Sequence, residues 1–308
     1  MELWQKTAVA IIIIGAAVGV VLVGGYLAGW MGTPYVSSIE NSWGNVSSNE
    51  AELMTSVTIE NPNPFNIKIT SLHYTILLNN ITVAEGWDSD VTLKGGTTVV
   101  DYVSNLNMSK IPEWWSSHLN QDEKTHIAFT YQVKASAGPI HRSKTITETY
   151  GTVDTDLLST LQLDQPRNIS VQIQGEDYCL LVASNFTASW GSITEETTII
   201  NATVELYNPH YNPVEVETFV YYFHMNNLTV GHGSISHAFN VPPYGTVSID
   251  CDTIIDNSDL IEWFTSHIQN NETTHYEIGS GAKFTHRGKS YTIEPIHLEG
   301  DVTTDMLD

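Results

Sequence analysis

Basic residues are scarce in this chain. Its 308 residues include 12 Lys and Arg against 35 Asp and Glu, a formal net charge of −23. Phosphate binding needs a clustered cationic footprint, so nucleic acid is not expected as a partner. Charged residues are only 15% of the chain, so the imbalance reflects missing cations more than abundant acids. There are two cysteines, too few for a Cys-rich zinc module or a disulfide-dense scaffold. Catalytic signatures are also missing: no G-x-S-x-G elbow, no H-E-x-x-H and no Gly-rich phosphate loop occurs. Enzymatic activity is therefore not expected. What is present is 41% hydrophobic and 10% aromatic residues, enough for cores and unlike a disordered chain.

One apolar run stands apart. Thr7 to Trp30 carries no charge and is long enough to cross a bilayer, with Trp4 at one edge and Tyr26 and Trp30 at the other. The run exceeds a signal-peptide core and no convincing small-residue cleavage site follows, which favours an uncleaved single span over a cleaved leader. Lys6 precedes it and no Lys or Arg follows until Lys68, so the N-terminus is expected in the cytoplasm and the remainder outside. Eight N-x-S/T sequons lie beyond the run, at Asn45, Asn80, Asn107, Asn168, Asn185, Asn201, Asn227 and Asn271. They are candidate glycosylation sites, although a chain rich in Asn, Ser and Thr produces some by chance.

The remainder is an internal duplication at an offset of about 147–149 residues. Ser42-Trp43-Gly44 matches Ser189-Trp190-Gly191, Asn79-Asn80 matches Asn226-Asn227, and Thr125-His126 matches Thr274-His275. Asn61-Pro62-Asn63-Pro64 matches Asn208-Pro209 and Asn212-Pro213, with two extra residues between. Two long copies indicate tandem domains, because solenoids need several short repeats. Within each copy apolar residues alternate with polar ones, as at Leu53–Ile59, Leu72–Leu78 and Ile127–Val133, and at Ile200–Leu206, Phe219–Phe223 and Ile235–Val241. That period predicts half-buried strands punctuated by Asn-Pro and Asn-Asn turns. One short helix is expected per copy, over Ile111–Leu119 and Leu260–Ile268, the second capped by Asp259. The expected class is all-β: two tandem β-sandwiches, each with one short helix, after a single N-terminal transmembrane helix. The expected boundaries are 1–34 for stub and anchor, 35–158 and 168–308 for the sandwiches, and 159–167 for a linker.

A strand followed by Asn-Pro-Asn-Pro-Phe, a strand ending in Asn-Asn, and a helix carrying Glu-Trp-Trp-x-Ser-His resembles late embryogenesis abundant group 2 domains. These are also known as water stress and hypersensitive response (WHy) domains. The resemblance covers both copies. It implies an immunoglobulin- or fibronectin-like sandwich and a link to water stress or desiccation, and it supplies no catalytic residues. Joined to a membrane anchor, it looks most like archaeal surface proteins.

Candidate sites each have a plain structural alternative. The helix aromatics Trp114, Trp115, Trp263 and Phe264 cannot all face one core, since adjacent helical residues diverge. One of each pair is expected to plug the core while the other meets a loop, a partner or a glycan. Histidines recur at His118/His267, His126/His275 and His141/His286, but their spacing demonstrates no convergence, and no metal or cofactor is expected. Asp154, Asp156, Asp250 and Asp252 lack the spacing of a calcium loop. Cys179 and Cys251, both in the second copy, are a possible disulfide in an oxidising compartment. The pattern His-Arg-x-Lys at 141–144 and 286–289 is expected to form hairpin tips, making Arg142, Lys144, Arg287 and Lys289 possible contacts for an anionic envelope component. The favoured function is a membrane-anchored, extracytoplasmic, stress-related surface module. The rivals are an adhesion or filament subunit binding an envelope protein or glycan, and an accessory subunit of a membrane complex.

Overall fold

The computed structural model describes residues 34–137, 140–155, 165–235, 237–294 and 297–303. The apolar run, Asp156 and most of the expected linker lie outside the described residues. Among those described, no helix is long and apolar enough to cross a membrane. The chain divides into two compact units, the first drawn mainly from residues up to Thr155 and the second mainly from those after it.

The first unit runs β1 (Tyr35–Val46), β2 (Glu50–Asn61), β3 (Ile67–Leu78), β4 (Ile81–Asp88), β5 (Val91–Leu93), β6 (Gly96–Asn107), a 3-10 turn (Met108–Lys110), α1 (Ile111–Asn120), β7 (Lys124–Ala137) and β8 (Ile140–Asp154). Its antiparallel order is β1-β2-β6-β4-β3-β7-β8, with β5 beside β3. Strict alternation along β2, and alternation along β3 that changes phase at a bulge between Ile69 and Ser71, send side chains inward. Val57, Ile59 and Val100 thereby share one core with Ile67, Ile69, Leu72, Phe129 and Val133, as a sheet folded into a sandwich requires.

The second unit contains β9 (Arg167–Ile173), β10 (Glu176–Ile193), β11 (Thr197–Tyr207), β12 (Val214–Met225), β13 (Leu228–Ser234), β14 (Phe239–Val241), β15 (Thr246–Asp250), β16 (Thr253–Asp256), α2 (Asp259–Gln269), β17 (Thr273–His286), β18 (Lys289–Ile293) and β19 (His297–Thr303). Its path is β18-β17-β12-β13-β16-β11-β10-β9, a sheet separate from the first.

The duplication holds at the level of register. Trp43 faces Leu53 across β1–β2, with a bulge before Val46; Trp190 faces Ile200 across β10–β11, with a bulge before Ile193. Asn79-Asn80 and Asn226-Asn227 have the same φ values, 50° and 66°, at their two turn positions. Positive φ at both residues suits a two-residue hairpin whose twist matches its strands, and Asn tolerates it. Gly86 sits opposite Tyr74, and Gly233 opposite Tyr221. A Cβ at either glycine would lie 2.1 Å or 2.0 Å from the tyrosine side chain, so the ring needs the missing side chain's space.

Several expectations need correction. The run Ile235–Val241 is not one strand: the chain bends at His237, and Phe239–Val241 pair beside β12. Asp259 does not cap α2 from outside but is its first residue. In the turn before α2, Asp256 accepts from the Ser258 amide at 2.9 Å and hydroxyl at 2.7 Å, as Asn107 does for Ser109 before α1. Those bonds hold the Asp256 carboxyl below its ordinary pKa. Arg167 belongs to β9 and not to a linker. The His-Arg-Ser-Lys segment at 141–144 is not a hairpin tip. β7 pairs Ala137 with Ile140, so the chain has reversed before His141, and 141–144 continue inside β8. In the second copy the tip expectation holds, with His286 paired to Lys289 and Arg287-Gly288 at φ 51° and 71°.

Candidate functional site

Each short helix presents the same polar cluster to the strand after it. Trp114 donates from Nε1 to Thr125 Oγ1 at 3.0 Å, and His118 Nδ1 lies 2.8 Å from that oxygen. In the second copy Trp263 Nε1 donates to Thr274 Oγ1 at 3.0 Å and His267 Nδ1 lies 2.8 Å away. The i and i+4 spacing of Trp and His puts both on one helix face. Bond directions follow from the donors available. Indole N–H can only donate, so the threonine oxygen accepts it in both copies, and the hydroxyl can also bond His Nδ1. In the first copy His118 Nε2 reaches Thr155 Oγ1 at 2.9 Å, and Thr155 donates to Glu123 Oε2 at 2.8 Å. A neutral imidazole and an ionised carboxylate satisfy every step.

Burial keeps both imidazoles neutral. His118 is held below its ordinary pKa mainly by desolvation, opposed by Glu123 and Asp154. His267 is pushed from 6.5 to about 4 by desolvation. The order Thr–His–Thr–Glu has the polarity of a hydrolytic relay, yet Thr125 is 2% exposed and its oxygen already accepts from Trp114. The cluster can fix the helix onto the sandwich; it offers no open nucleophile. Trp115 and Phe264, like Trp114 and Trp263, are half-buried, so no aromatic of either helix stands free on the surface.

The Asn-Pro turns are anchored identically. Asn61 donates from Nδ2 to the Phe65 and Leu93 carbonyls, and Asn208 to those of Asn212 and Val241. Both asparagines are fully buried. The second copy then departs from the first, because its turn contains the extra residues. His210 donates its amide to Asn208 Oδ1 at 2.9 Å, stacks on Tyr178 at 4.9 Å, and places Nε2 2.7 Å from the Cys179 carbonyl. Tyr178 Oη lies 3.1 Å from His210 Nδ1 and 3.4 Å from His286 Nε2. Desolvation lowers the His286 pKa. Beyond this anchor Tyr211 is exposed, and the Arg287 guanidinium lies over its ring, 4.8 Å from the centroid. Tyr244, also exposed, donates its amide to the His210 carbonyl at 3.1 Å.

The remaining candidates are scattered. All eight sequon asparagines are exposed, as an acceptor must be. Arg142 and Lys144 fall opposite Ala135 and Val133 in β8, their side chains outside the described residues. His141 and Ser143 help line a depression of about 370 Å³ with Thr70, Lys134 and Ala135. His126 and His275 are exposed and bond Thr152 and Asp301. Asp154, Asp250 and Asp252 are exposed, and among the described residues no three His, Cys, Asp or Glu gather as a metal site. The two cysteines are free. Cys251 donates its amide to Ala202, which pairs with Ala188 of β10, whereas Cys179 lies nine residues earlier on that strand. That is about 30 Å of extended chain, against the roughly 6 Å between Cα atoms that a disulfide spans. Tyr178, His210, Tyr211 and Tyr244 were not singled out from sequence. Their one signal was the two-residue insertion in the Asn-Pro turn.

The sequence profile of the late embryogenesis abundant protein family matches residues 56–148 and 203–300, one match per unit. The chain belongs to this family. No curated protein matches it. Among solved structures, a crystal structure of a protein from Archaeoglobus fulgidus is 25% identical, with 41% of this chain and 99% of that one covered, at a TM-score of 0.37. A solution structure of an Arabidopsis thaliana protein is 14% identical over 39% and 79% of the two chains, at a TM-score of 0.30. A glycoside hydrolase family 2 β-glucuronidase is 10% identical over 82% and 24%, at a TM-score of 0.25. Likenesses at these scores carry no argument about this chain. The family match establishes tandem late embryogenesis abundant domains on a mostly β framework.

Proposed function

We propose that this late embryogenesis abundant protein is a non-enzymatic, water-stress-related surface module, anchored by one span over Thr7–Trp30 with both domains outside the cytoplasmic membrane. The observation that carries the reading is a duplicated family fold on a chain with 35 acids and 12 basic residues. Self-repulsion and strong hydration of such a surface oppose aggregation when salt rises or water is withdrawn. Exposure of all eight sequon asparagines supports an extracytoplasmic setting, in which glycans would add to that hydration. The test is survival of cells after drying or salt shock. Cells lacking the chain should lose viability that the full chain restores, and equal survival with and without it would contradict the stress role.

A second reading has one observation behind it. β8 ends the first sheet's path with 15 residues paired only to β7 among the described strands, and such an edge can accept a strand from an envelope partner. Chemical crosslinking in native membranes that repeatedly captured one protein through β8 would favour this reading over an isolated module.

A further inference from the structure

The second domain carries a construction the first lacks, and its chemistry points to a ligand. The insertion His210-Tyr211 is held from three sides. Asn208 takes the His210 amide, the Cys179 carbonyl takes its Nε2, and the Tyr244 amide reaches its carbonyl. Tyr211 and Tyr244 nevertheless remain 63% and 62% exposed. Large rings fixed on a rigid base and left in water lose little conformational freedom when something stacks on them.

Arg287 completes the site. It occupies the first central position of a hairpin turn with φ 51°, a backbone setting uncommon for a non-glycine residue. Its guanidinium lies on the Tyr211 ring. Arg287 and Lys289 flank Gly288 at the hairpin tip, and among the described residues no carboxylate pairs with either. On a chain of net charge −23, this pair makes the hairpin tip a local cationic spot. A planar guanidinium with five N–H donors suits two-point binding of a carboxylate. The exposed phenol rings of Tyr211 and Tyr244 offer flat faces with a polar rim, suited to the C–H face of a pyranose and useless to a bare inorganic anion.

We propose that Arg287, Tyr211 and Tyr244 form a binding site for an acidic saccharide, the guanidinium taking a uronate carboxylate and the tyrosine rings its sugar faces. Lys289 adds attraction without setting geometry. The first domain lacks the site: its turn has no inserted pair, and its His-Arg-Ser-Lys segment lies within β8. Binding is assayed on the isolated full chain in detergent, so it stands or fails separately from the cellular placement proposed above.

The experiment titrates the full chain with a hexameric oligogalacturonate, a neutral hexasaccharide, inorganic phosphate and anionic lipid vesicles. Calorimetry reads affinity, and thermal unfolding confirms that each variant is folded. The uronate should bind, more weakly at higher salt, and the neutral sugar should not. Arg287→Gln should lower affinity at least tenfold. Arg287→Lys, which keeps the charge and loses the fork, should lower it several-fold. Tyr211→Ala should act similarly, and Lys94→Ser in the first domain should change nothing. No uronate binding, equal binding of the neutral sugar, or uronate binding indifferent to Arg287→Gln and Arg287→Lys would overturn the proposal. Binding of phosphate or vesicles alone would overturn it in favour of a bare phosphate site.

Discussion

Replacing Thr274 with Val removes one oxygen and almost no volume. The side chain is 3% exposed, and its hydroxyl serves two partners: it accepts from Trp263 Nε1 at 3.0 Å and meets His267 Nδ1 at 2.8 Å. Valine strands both the indole N–H and the imidazole Nδ1. A buried polar group left without a partner costs about 1–3 kcal/mol. His267 is deeply buried and should incur that in full, whereas half-buried Trp263 can partly turn toward water. The net loss should be about 2–4 kcal/mol. With a urea m-value of about 1–3 kcal/mol/M, the midpoint of the second domain should fall by about 1–2 M. Tryptophan fluorescence during urea unfolding of the full chain reads it. Thr125→Val repeats the perturbation in the first domain and should lower that domain's transition by a similar amount. Coupling is checked by Trp263→Phe: combined with Thr274→Val, it should cost less than the two single changes summed. A Thr274→Val loss under about 0.5 kcal/mol, or strict additivity, would refute the hydrogen-bond account of the helix clamp.

Further outcomes follow from the same structure. Gly233→Ala and Gly86→Ala should each destabilise by about 1–3 kcal/mol in thermal unfolding, because the new methyl meets a tyrosine ring held by β-ladder pairing. Stability should fall as pH drops from about 6.5 to 4. The unfolded state protonates His267 near 6.5 and the folded state only near 4, so protons favour unfolding across that window by about 1.4 kcal/mol per pH unit, or roughly 3 kcal/mol in total, and His267→Gln should flatten that slope. Asn208→Ala should cost about 2–3 kcal/mol by leaving the Asn212 and Val241 carbonyls unbonded, read by urea unfolding. Intact mass should show two free thiols, with Cys179 alkylated before Cys251, which is buried and whose pKa is pushed up to about 11.

Much of the fold was legible because a duplicated chain states its rules twice. Alternation at Leu53–Ile59 and Ile200–Leu206 survived as β2 and β11 because one face of each strand meets a core, and polar residues on the other fix register. Asn79-Asn80 and Asn226-Asn227 were readable as turns because few residues accept two left-handed positions in succession. Where proline or glycine sat near a pattern, local reading failed. Ile235–Val241 alternates, but a bend at His237 interrupts it and Pro242-Pro243 follow at once. The two His-Arg-x-Lys segments look alike, but only Gly288 follows its arginine with a residue suited to positive φ. Ser143 does not, and that copy continues as strand. The candidate site was harder to see because it depends on contacts across the chain. Tyr178, His210, Tyr244 and Arg287 lie on four separate elements, and nothing local in sequence brings them together. The visible trace was the inserted His210-Tyr211, a departure from the repeat. Cys179 and Cys251 failed as a disulfide for the same reason, since strand register alone reveals the distance between them.

Membrane topology is the claim on which the proposed function rests, and limited proteolysis addresses it directly. Protease added to right-side-out vesicles carrying the full chain should digest both β domains and leave one membrane-bound fragment near residues 1–35, identified by mass. Full protection of residues 35–308, under conditions that cleave a known external control, would contradict the extracytoplasmic placement.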